Sequence, residues 1–228
     1  MQKLTRLLGA VMVLCAVASA EVKSGSFIGV SVGAPINNPS YQGANLQSLS
    51  DYLPSGGAGW GFGLEIGHRH MLSNRLGVRY YADYFYGQYK SSERGEMGFV
   101  ALTTEANIVQ HHISVNFDVL LYLTQRFGVY VGVGVGYQIY EPLYTFNGHK
   151  NFTGGAGTGV GTLSIPTDGV QRGLAIPVNI GMMWNVGESS QITFGAKVST
   201  KGYEYGLQDG EHISLGAYII KLGYNYTF

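Results

Sequence analysis

The chain ends on Gly216-Ala217-Tyr218-Ile219-Ile220-Lys221-Leu222-Gly223-Tyr224-Asn225-Tyr226-Thr227-Phe228. Counted back from Phe228 to Tyr218, every second residue is apolar or aromatic, and the residues between them are mostly polar or small. Side chains of a β-strand point alternately to its two faces, so this stretch predicts a strand with one apolar and one polar face.

The same alternation recurs earlier in the chain. It predicts seven further strands at Ser26–Ala34, Ala58–His68, Arg75–Gln88, Asn107–Leu123, Phe127–Tyr140, Arg172–Asn185 and Gln191–Thr200. In the sixth of these, Pro177 lacks the N–H that a strand ladder needs, so we expect a local bulge or distortion there.

The connections between these strands alternate in length. Short turns near His68–Asn74, Thr124 and Gly187 separate four long polar segments, which we interpret as loops: Pro35–Gly57, Lys90–Glu105, Glu141–Gln171 and Lys201–Glu211. Short turns on the periplasmic side and long loops outside are typical of bacterial outer-membrane β-barrels.

Composition agrees with a membrane barrel. Charged residues make up 12% of the chain, while glycine (35), tyrosine (17) and phenylalanine (10) are abundant. After residue 20 we find no stretch near the ~20 apolar residues of a membrane helix. The 14 basic and 14 acidic residues balance, so nothing indicates nucleic-acid binding.

The first twenty residues predict a signal peptide. Lys3 and Arg6 precede an apolar run from Leu7 to Val17, and Ala18-Ser19-Ala20 supplies small residues for cleavage. The single cysteine, Cys15, lies inside this segment, which excludes disulfides and thiol chemistry from residues 21–228. We therefore expect one domain, an eight-stranded antiparallel transmembrane β-barrel at residues 21–228.

A secreted soluble β-sandwich or lipocalin-like barrel is the competing fold. It would need an apolar core, yet the non-apolar faces of the predicted strands carry glycine, serine, asparagine and charged residues. These faces fit a narrow polar lumen, and tyrosine and tryptophan cluster near the strand ends as they do at membrane interfaces.

With these features, residues 21–228 resemble the small outer-membrane barrels of the OmpA/OmpX/OmpW type. The opening Glu21-Val22-Lys23-Ser24-Gly25-Ser26-Phe27-Ile28-Gly29-Val30 and the tail Tyr224-Asn225-Tyr226-Thr227-Phe228 are similar to the Helicobacter outer membrane protein (Hop/Hor-like) family. The resemblance implies an outer-membrane surface protein or adhesin without known catalysis or cofactor. It also implies that Tyr224, Tyr226 and Phe228 act as an assembly signal for the barrel-assembly machinery.

Six charged residues are expected inside the barrel. An eight-stranded barrel is normally filled by its own side chains, and buried charges need partners. We expect the acids Glu65, Asp83 and Asp118 to pair with Arg79, Lys197 and Lys221. The alternative is a gated narrow porin, because the many inward glycines could leave space for water.

An enzymatic reading rests on His112-Ile113-Ser114. A His-x-Ser pair on one strand resembles the lipid A deacylase of outer membranes, but here both residues are expected to face the lumen, and the following Val115 stands where that family has asparagine. The histidines His68, His70, His111 and His112 have neither the spacing nor the third ligand of a metal site. We therefore expect no enzyme, no metal and no cofactor.

Partner recognition is expected in the long loops. The residues that we select as contacts are the loop aromatics Tyr41, Tyr52, Phe99, Tyr144, Phe146 and Tyr203. The expected partners are outer-membrane lipids and lipopolysaccharide, the assembly machinery and a host-surface ligand.

Overall fold

The computed structural model describes residues 23–43, 51, 53–97, 100–150, 160–165, 171–199, 203–206 and 212–228. Within these ranges the chain forms twelve antiparallel β-strands. They are β1 (Gly25–Gln42), β2 (Gly57–Ala58), β3 (Trp60–Met71), β4 (Leu76–Met97), β5 (Val100–Tyr122), β6 (Phe127–Lys150), β7 (Val160–Ile165), β8 (Gln171–Ala175), β9 (Pro177–Asn185), β10 (Ser190–Ser199), β11 (Tyr203–Gly206) and β12 (His212–Thr227). The predicted signal peptide lies outside the described residues. No helix in the described ranges is long and apolar enough to cross a membrane.

The sheet closes into a ring because β12 pairs with β1, from the Phe27–Thr227 pair to the Gln42–His212 pair. The order around the ring is β1, β3, β4, β5, β6, β9, β10 and β12, and β8 continues β9 along β6. Eight strands therefore build the wall in the described part of the chain, as predicted. The short strands β2, β7 and β11 lie at the end of the barrel that carries the long connections.

The ladder pairs give the stagger of the barrel. A path from pair to pair around the ring starts at Gly25 and passes through Arg69, Arg79, Asp118, Gly132, Asn179, Lys197 and Ile219 before it returns to β1 at Pro35. The shift of ten residues (35 − 25) over eight strands corresponds to a strand tilt of about 40° and a wall radius of about 8 Å, from the usual strand spacings. Such a barrel is narrow enough for side chains to reach across.

Alternation along the strands is regular, and it separates a lipid face from a lumen. On β1, Ile28, Val30 and Val32 are at least half exposed, whereas Phe27 is buried on the inside. The buried set contains many polar residues, which is the inverse of a soluble protein. The predicted apolar outside and polar inside are confirmed.

Aromatic residues form two belts on the outer face. The pair Phe127–Trp184, with ring centroids 5.0 Å apart, lies near the short turns, and Tyr137 lies ten residues further along β6 (137 − 127). At the tilt given above, ten residues rise about 25 Å, which is the height of the apolar band of outer-membrane barrels. The predicted interfacial role of the aromatic residues fits these positions.

The short turns at 72–75, 123–126 and 186–189 agree with the predicted periplasmic turns. In one of them, the Oγ1 atom of Thr124 accepts a hydrogen bond from the backbone N–H of Phe127 (2.9 Å). In another, Glu188 accepts a hydrogen bond from Lys23 (2.7 Å), and this contact lowers the pKa of Glu188 below its ordinary value. Both residues are exposed to solvent, so the pair contributes little stability.

The predicted long loops need correction. The segment predicted as the loop Lys90–Glu105 instead continues the β4–β5 hairpin as far as the Met97–Val100 pair. Similarly, β1 runs to Gln42, β6 runs to Lys150, and β11 lies inside the predicted loop Lys201–Glu211. Beyond the membrane both faces of a strand meet water, so the apolar alternation that marks a membrane strand disappears while the backbone pairing continues.

The sixth predicted strand is interrupted at Ile176 and divides into β8 and β9. On the β6 side, the ladder resumes with Gly136–Ala175 after Val133–Val178, and these pairs keep the same register. No extra residue is inserted, so the expected bulge is absent there and the expected distortion is confirmed. The pair Ser199–Pro177 on the β10 side is kept, so Pro177 stays paired with β10.

Candidate functional site

The lumen holds all six charged residues that the sequence placed inside. Five of them, Glu65, Arg79, Asp83, Asp118 and Lys197, are buried, and the Lys221 side chain is only 11% exposed. They project from five strands, namely β3, β4, β5, β10 and β12. Their convergence follows from alternation, because each occupies an inward position of its strand.

Asp83 is the centre of the ion pairs. Its Oδ2 atom lies 2.5 Å from Nζ of Lys197 and 3.4 Å from Nζ of Lys221, which also binds Glu65 at 2.8 Å. The strands β4 and β10 are four steps apart in either direction around the ring. The Asp83–Lys197 pair therefore spans the diameter of the lumen.

Arg79 and Asp118 form a second pair on neighbouring strands. Both Nε and Nη2 of Arg79 bind Oδ2 of Asp118, at 2.8 and 2.7 Å. The guanidinium group also lies over the ring of Tyr130, 4.3 Å from its centroid, and over Tyr81 at 4.9 Å. A buried arginine is thus stabilised by a carboxylate and by two aromatic faces.

Three neutral residues join the two groups of ion pairs. Asn116 donates to Oδ1 of Asp83 (3.1 Å), and Asn179 donates to Oδ1 of Asn116 (3.0 Å) and to Oδ1 of Asp118 (3.2 Å). Ser114 donates to Asp83 and accepts from Lys197 (2.8 Å). We call these three residues and the six charged ones the lumen network.

An apolar cluster lies below the lumen network, toward the periplasmic turns. It consists of Leu120, Tyr122, Tyr130 and Met183, with Met71 packed against it. Gln191 connects this level to a buried cation, because its Oε1 accepts from Arg69 (2.9 Å) while its Nε2 donates to the hydroxyl of Tyr122 (3.1 Å). Arg69 is not among the predicted lumen residues, because the predicted turn begins at His68, one residue before it.

Inward glycines are covered by rings from other strands. A Cβ atom on Gly61 would lie 2.5 Å from Cζ of Phe85, and one on Gly181 would lie 2.5 Å from the hydroxyl of Tyr130. The same hydroxyl stands over Gly195. The space for water that the porin alternative invokes is not found at these glycines, since their missing side chains make room for Phe85 and Tyr130.

The family of the chain follows from its similarity to known proteins. A sequence profile described as "Helicobacter outer membrane protein" matches residues 63–228. The chain belongs to the Helicobacter outer membrane protein family. The resemblance was based on the first residues after the predicted signal peptide and on the C-terminal tail. The matched range contains the tail but not those first residues. The family assignment and the barrel together place the chain in the bacterial outer membrane.

Solved outer-membrane proteins are similar over most of their length. Ail, the attachment invasion locus protein of Yersinia pestis, is 12% identical, with a TM-score of 0.39 over 90% of this chain and 100% of its own. Neisserial surface protein A is 14% identical (TM-score 0.41, 88% and 97%), and OprG of Pseudomonas aeruginosa is 15% identical (0.49, 93% and 99%). No curated protein matches the chain.

The His112–Ser114 pair of this Helicobacter-family barrel lies in the lumen, as its parity predicted. Both residues are buried, Nδ1 of His112 lies 3.3 Å from Nε2 of Gln138, and Ser114 contacts Asp83, Lys197 and Asn116. A lipid substrate on the outer face does not reach them. His68, His70 and His111 point outward, and the described residues hold no group of three metal-ligating side chains.

Four of the six predicted contact aromatics lie in strands. Tyr41 lies in β1 and donates its hydroxyl to the carbonyl of Pro54 (2.8 Å), so it holds its own connection in place. Tyr144 and Phe146 lie in β6 and Tyr203 in β11, although their side chains are outside the described part of the structure. Tyr52 and Phe99 also lie outside the described residues.

The predicted assembly residues lie on the outer face of the closing strand. Tyr224 and Tyr226 are each 43% exposed, and Phe228 is 76% exposed. The Tyr226 and Phe228 rings pack edge to face at 5.4 Å, and the N–H of Phe228 donates to the carbonyl of Ser26 (2.9 Å). Their use as an assembly signal remains a prediction.

Proposed function

We propose that the protein is a closed, non-enzymatic surface barrel that recognises a host-surface partner through its extracellular strands. The filled lumen carries this proposal. The Asp83–Lys197 pair crosses the diameter, and the apolar cluster packs at the level below. A barrel of this kind acts through binding at its outer end rather than through transport along its lumen.

The outer end presents an extended paired sheet as the surface for recognition. β3 leaves β4 at the Trp60–Gln88 pair, whereas the β4–β5 ladder continues through nine further residues of β4, to Met97. Nine residues of strand are about 30 Å long. β6 and β7 continue this surface beside β5, through the pairs from Tyr144–Ile165 to His149–Val160. We call residues 89–97, 100–108, 142–150 and 160–165 the outer sheet.

Shortening the outer sheet tests the proposal. Replacing residues 92–105 with Asn-Gly would join the paired residues Ser91 and Ala106 through a two-residue hairpin turn that suits a twisted ladder. A second variant replaces residues 145–164 with Asn-Gly between Tyr144 and Ile165. Both variants keep the barrel wall.

The readout is binding of epithelial cells by bacteria that express each variant. We expect both variants to lose most of the binding conferred by the wild-type protein, while heat-modifiable migration of the barrel in gel electrophoresis stays normal. Unchanged binding by both shortened proteins, at equal surface amounts, would overturn the recognition role. No binding by the wild type would do so as well.

A further inference from the structure

The outer face carries an aromatic cluster where β3, β4 and β5 approach the extracellular boundary of the membrane. Tyr86 is its centre, with ring centroids 5.9 Å from Trp60, 5.3 Å from Phe62 and 5.4 Å from His111. Trp60 and Phe62 are 58% and 46% exposed to the surroundings of the barrel. We call these four residues, together with Tyr84, the lateral patch.

His111 is hydrogen-bonded to a tyrosine of the lateral patch. The hydroxyl of Tyr84 lies 2.8 Å from its Nδ1 atom. When this hydroxyl donates to Nδ1, the ring proton lies on Nε2, which becomes a donor to a ligand outside the barrel. An ordinary interfacial belt consists of single aromatic side chains. The lateral patch adds a hydrogen-bonded histidine to its exposed rings, and this polar group can select one headgroup over another.

Polar and cationic groups lie directly above the lateral patch. Nε2 of Gln88 donates to Oδ1 of Asn107 (3.2 Å), and the exposed Lys90 is the ladder partner of Asn107. Lys90 stands four residues beyond Tyr86 on the same face of β4, about 13 Å along the strand. Moving outward, the surface therefore changes from aliphatic to aromatic, then to amide, and then to charged residues, where the exposed Glu105 lies two residues beyond Asn107, the ladder partner of Lys90, on the same face of β5.

We propose that this surface binds the phosphorylated glucosamine headgroup of lipopolysaccharide in the outer leaflet. The exposed rings would pack against a sugar face, and His111, Gln88 and Asn107 would form hydrogen bonds with the headgroup. Lys90 supplies positive charge to a phosphate. The acyl chains would lie along the apolar band below. The inference does not depend on the host-recognition role.

The test measures lipid binding by the purified full-length barrel in detergent, using native mass spectrometry. The probes are bis-phosphorylated lipid A, the same lipid A without phosphates, and phosphatidylglycerol. The variants are His111→Ala, Tyr84→Phe and Lys90→Ala. The matched control is His68→Ala, because His68 stacks on Tyr80 at 5.6 Å on the outer face near the periplasmic turns.

We expect His111→Ala and Lys90→Ala each to weaken binding of bis-phosphorylated lipid A by about tenfold, as for the loss of a hydrogen bond to a charged group. Tyr84→Phe should weaken it less, and His68→Ala should leave it unchanged. Phosphatidylglycerol binding should not respond to any of them.

Three results would overturn the proposal. The first is unchanged lipid A binding by the His111→Ala and Lys90→Ala variants when these still show heat-modifiable migration. The second is an equal loss of phosphatidylglycerol binding, which would mean general attraction of anionic lipids. The third is equal binding of the lipid A without phosphates, which would mean that only the acyl chains are held.

Discussion

The Nζ atom of Lys197 lies 2.5 Å from the Oδ2 atom of Asp83, although their strands stand on opposite sides of the barrel. A wall radius of about 8 Å makes this contact possible, since two inward side chains together cover the interior. The pair does more than neutralise charge, because it ties opposite walls of the barrel together across the lumen.

Cross-lumen pairing predicts strong coupling between these residues. Asp83→Asn should destabilise the barrel by about 3–5 kcal/mol, because it leaves Lys197 buried without a carboxylate. Lys197→Met should cost less, since Lys221 still contacts Asp83. Urea unfolding in lipid vesicles would give the free energies of unfolding.

The double variant Asp83→Asn/Lys197→Met provides the check on this coupling. We expect its loss of stability to fall short of the sum of the single losses by about 1–3 kcal/mol. Additive losses would mean that the two side chains do not depend on each other.

Because the ring of Tyr130 covers Gly195, we expect Gly195→Ala to lower the stability of the barrel. A Cβ atom there would collide with the Tyr130 hydroxyl, so Gly195→Ala should destabilise the barrel by about 1–3 kcal/mol. Removing the hydroxyl with Tyr130→Phe should recover part of this loss. Gly187→Ala is the matched control, because the nearest atom to its added Cβ lies 3.9 Å away. Equal effects at Gly195 and Gly187, measured by the same unfolding assay, would contradict this packing.

These contacts show what the sequence could and could not predict. Parity alone placed Glu65, Asp83 and Lys197 inside, because alternation fixes the face of every residue in a strand that crosses lipid. It did not give the Asp83–Lys197 partnership, which depends on the ten-residue stagger of the closed ring. Asparagine was expected on the inward faces, but nothing local indicates that the amides of Asn116 and Asn179 join the ion pairs. The hairpin beyond Lys90 was missed because strands above the membrane lose the apolar alternation.

We expect replacement of the terminal phenylalanine to lower assembly of the barrel in cells without lowering the stability of the folded barrel. Phe228 follows the last ladder residue, Thr227, so Phe228→Ala keeps every strand pair of β12. If the terminal aromatic is the assembly signal, this variant should give several-fold less protein in the outer membrane of cells, yet it should refold normally in vesicles. Tyr218→Ala, which removes an outward aromatic far from the end, is the control. Normal cellular assembly of Phe228→Ala would mean that the tail has only a sealing role.

Conductance in planar lipid bilayers tests the closed-lumen account most directly. Purified wild-type barrel, with insertion verified by its heat-modifiable migration and a general porin as positive control, should give no stable current steps. Glu65→Gln should also be silent, because it leaves the Asp83–Lys197 pair and the apolar cluster in place. Reproducible ohmic steps from the wild type that change in size or ion selectivity with Glu65→Gln would contradict the account.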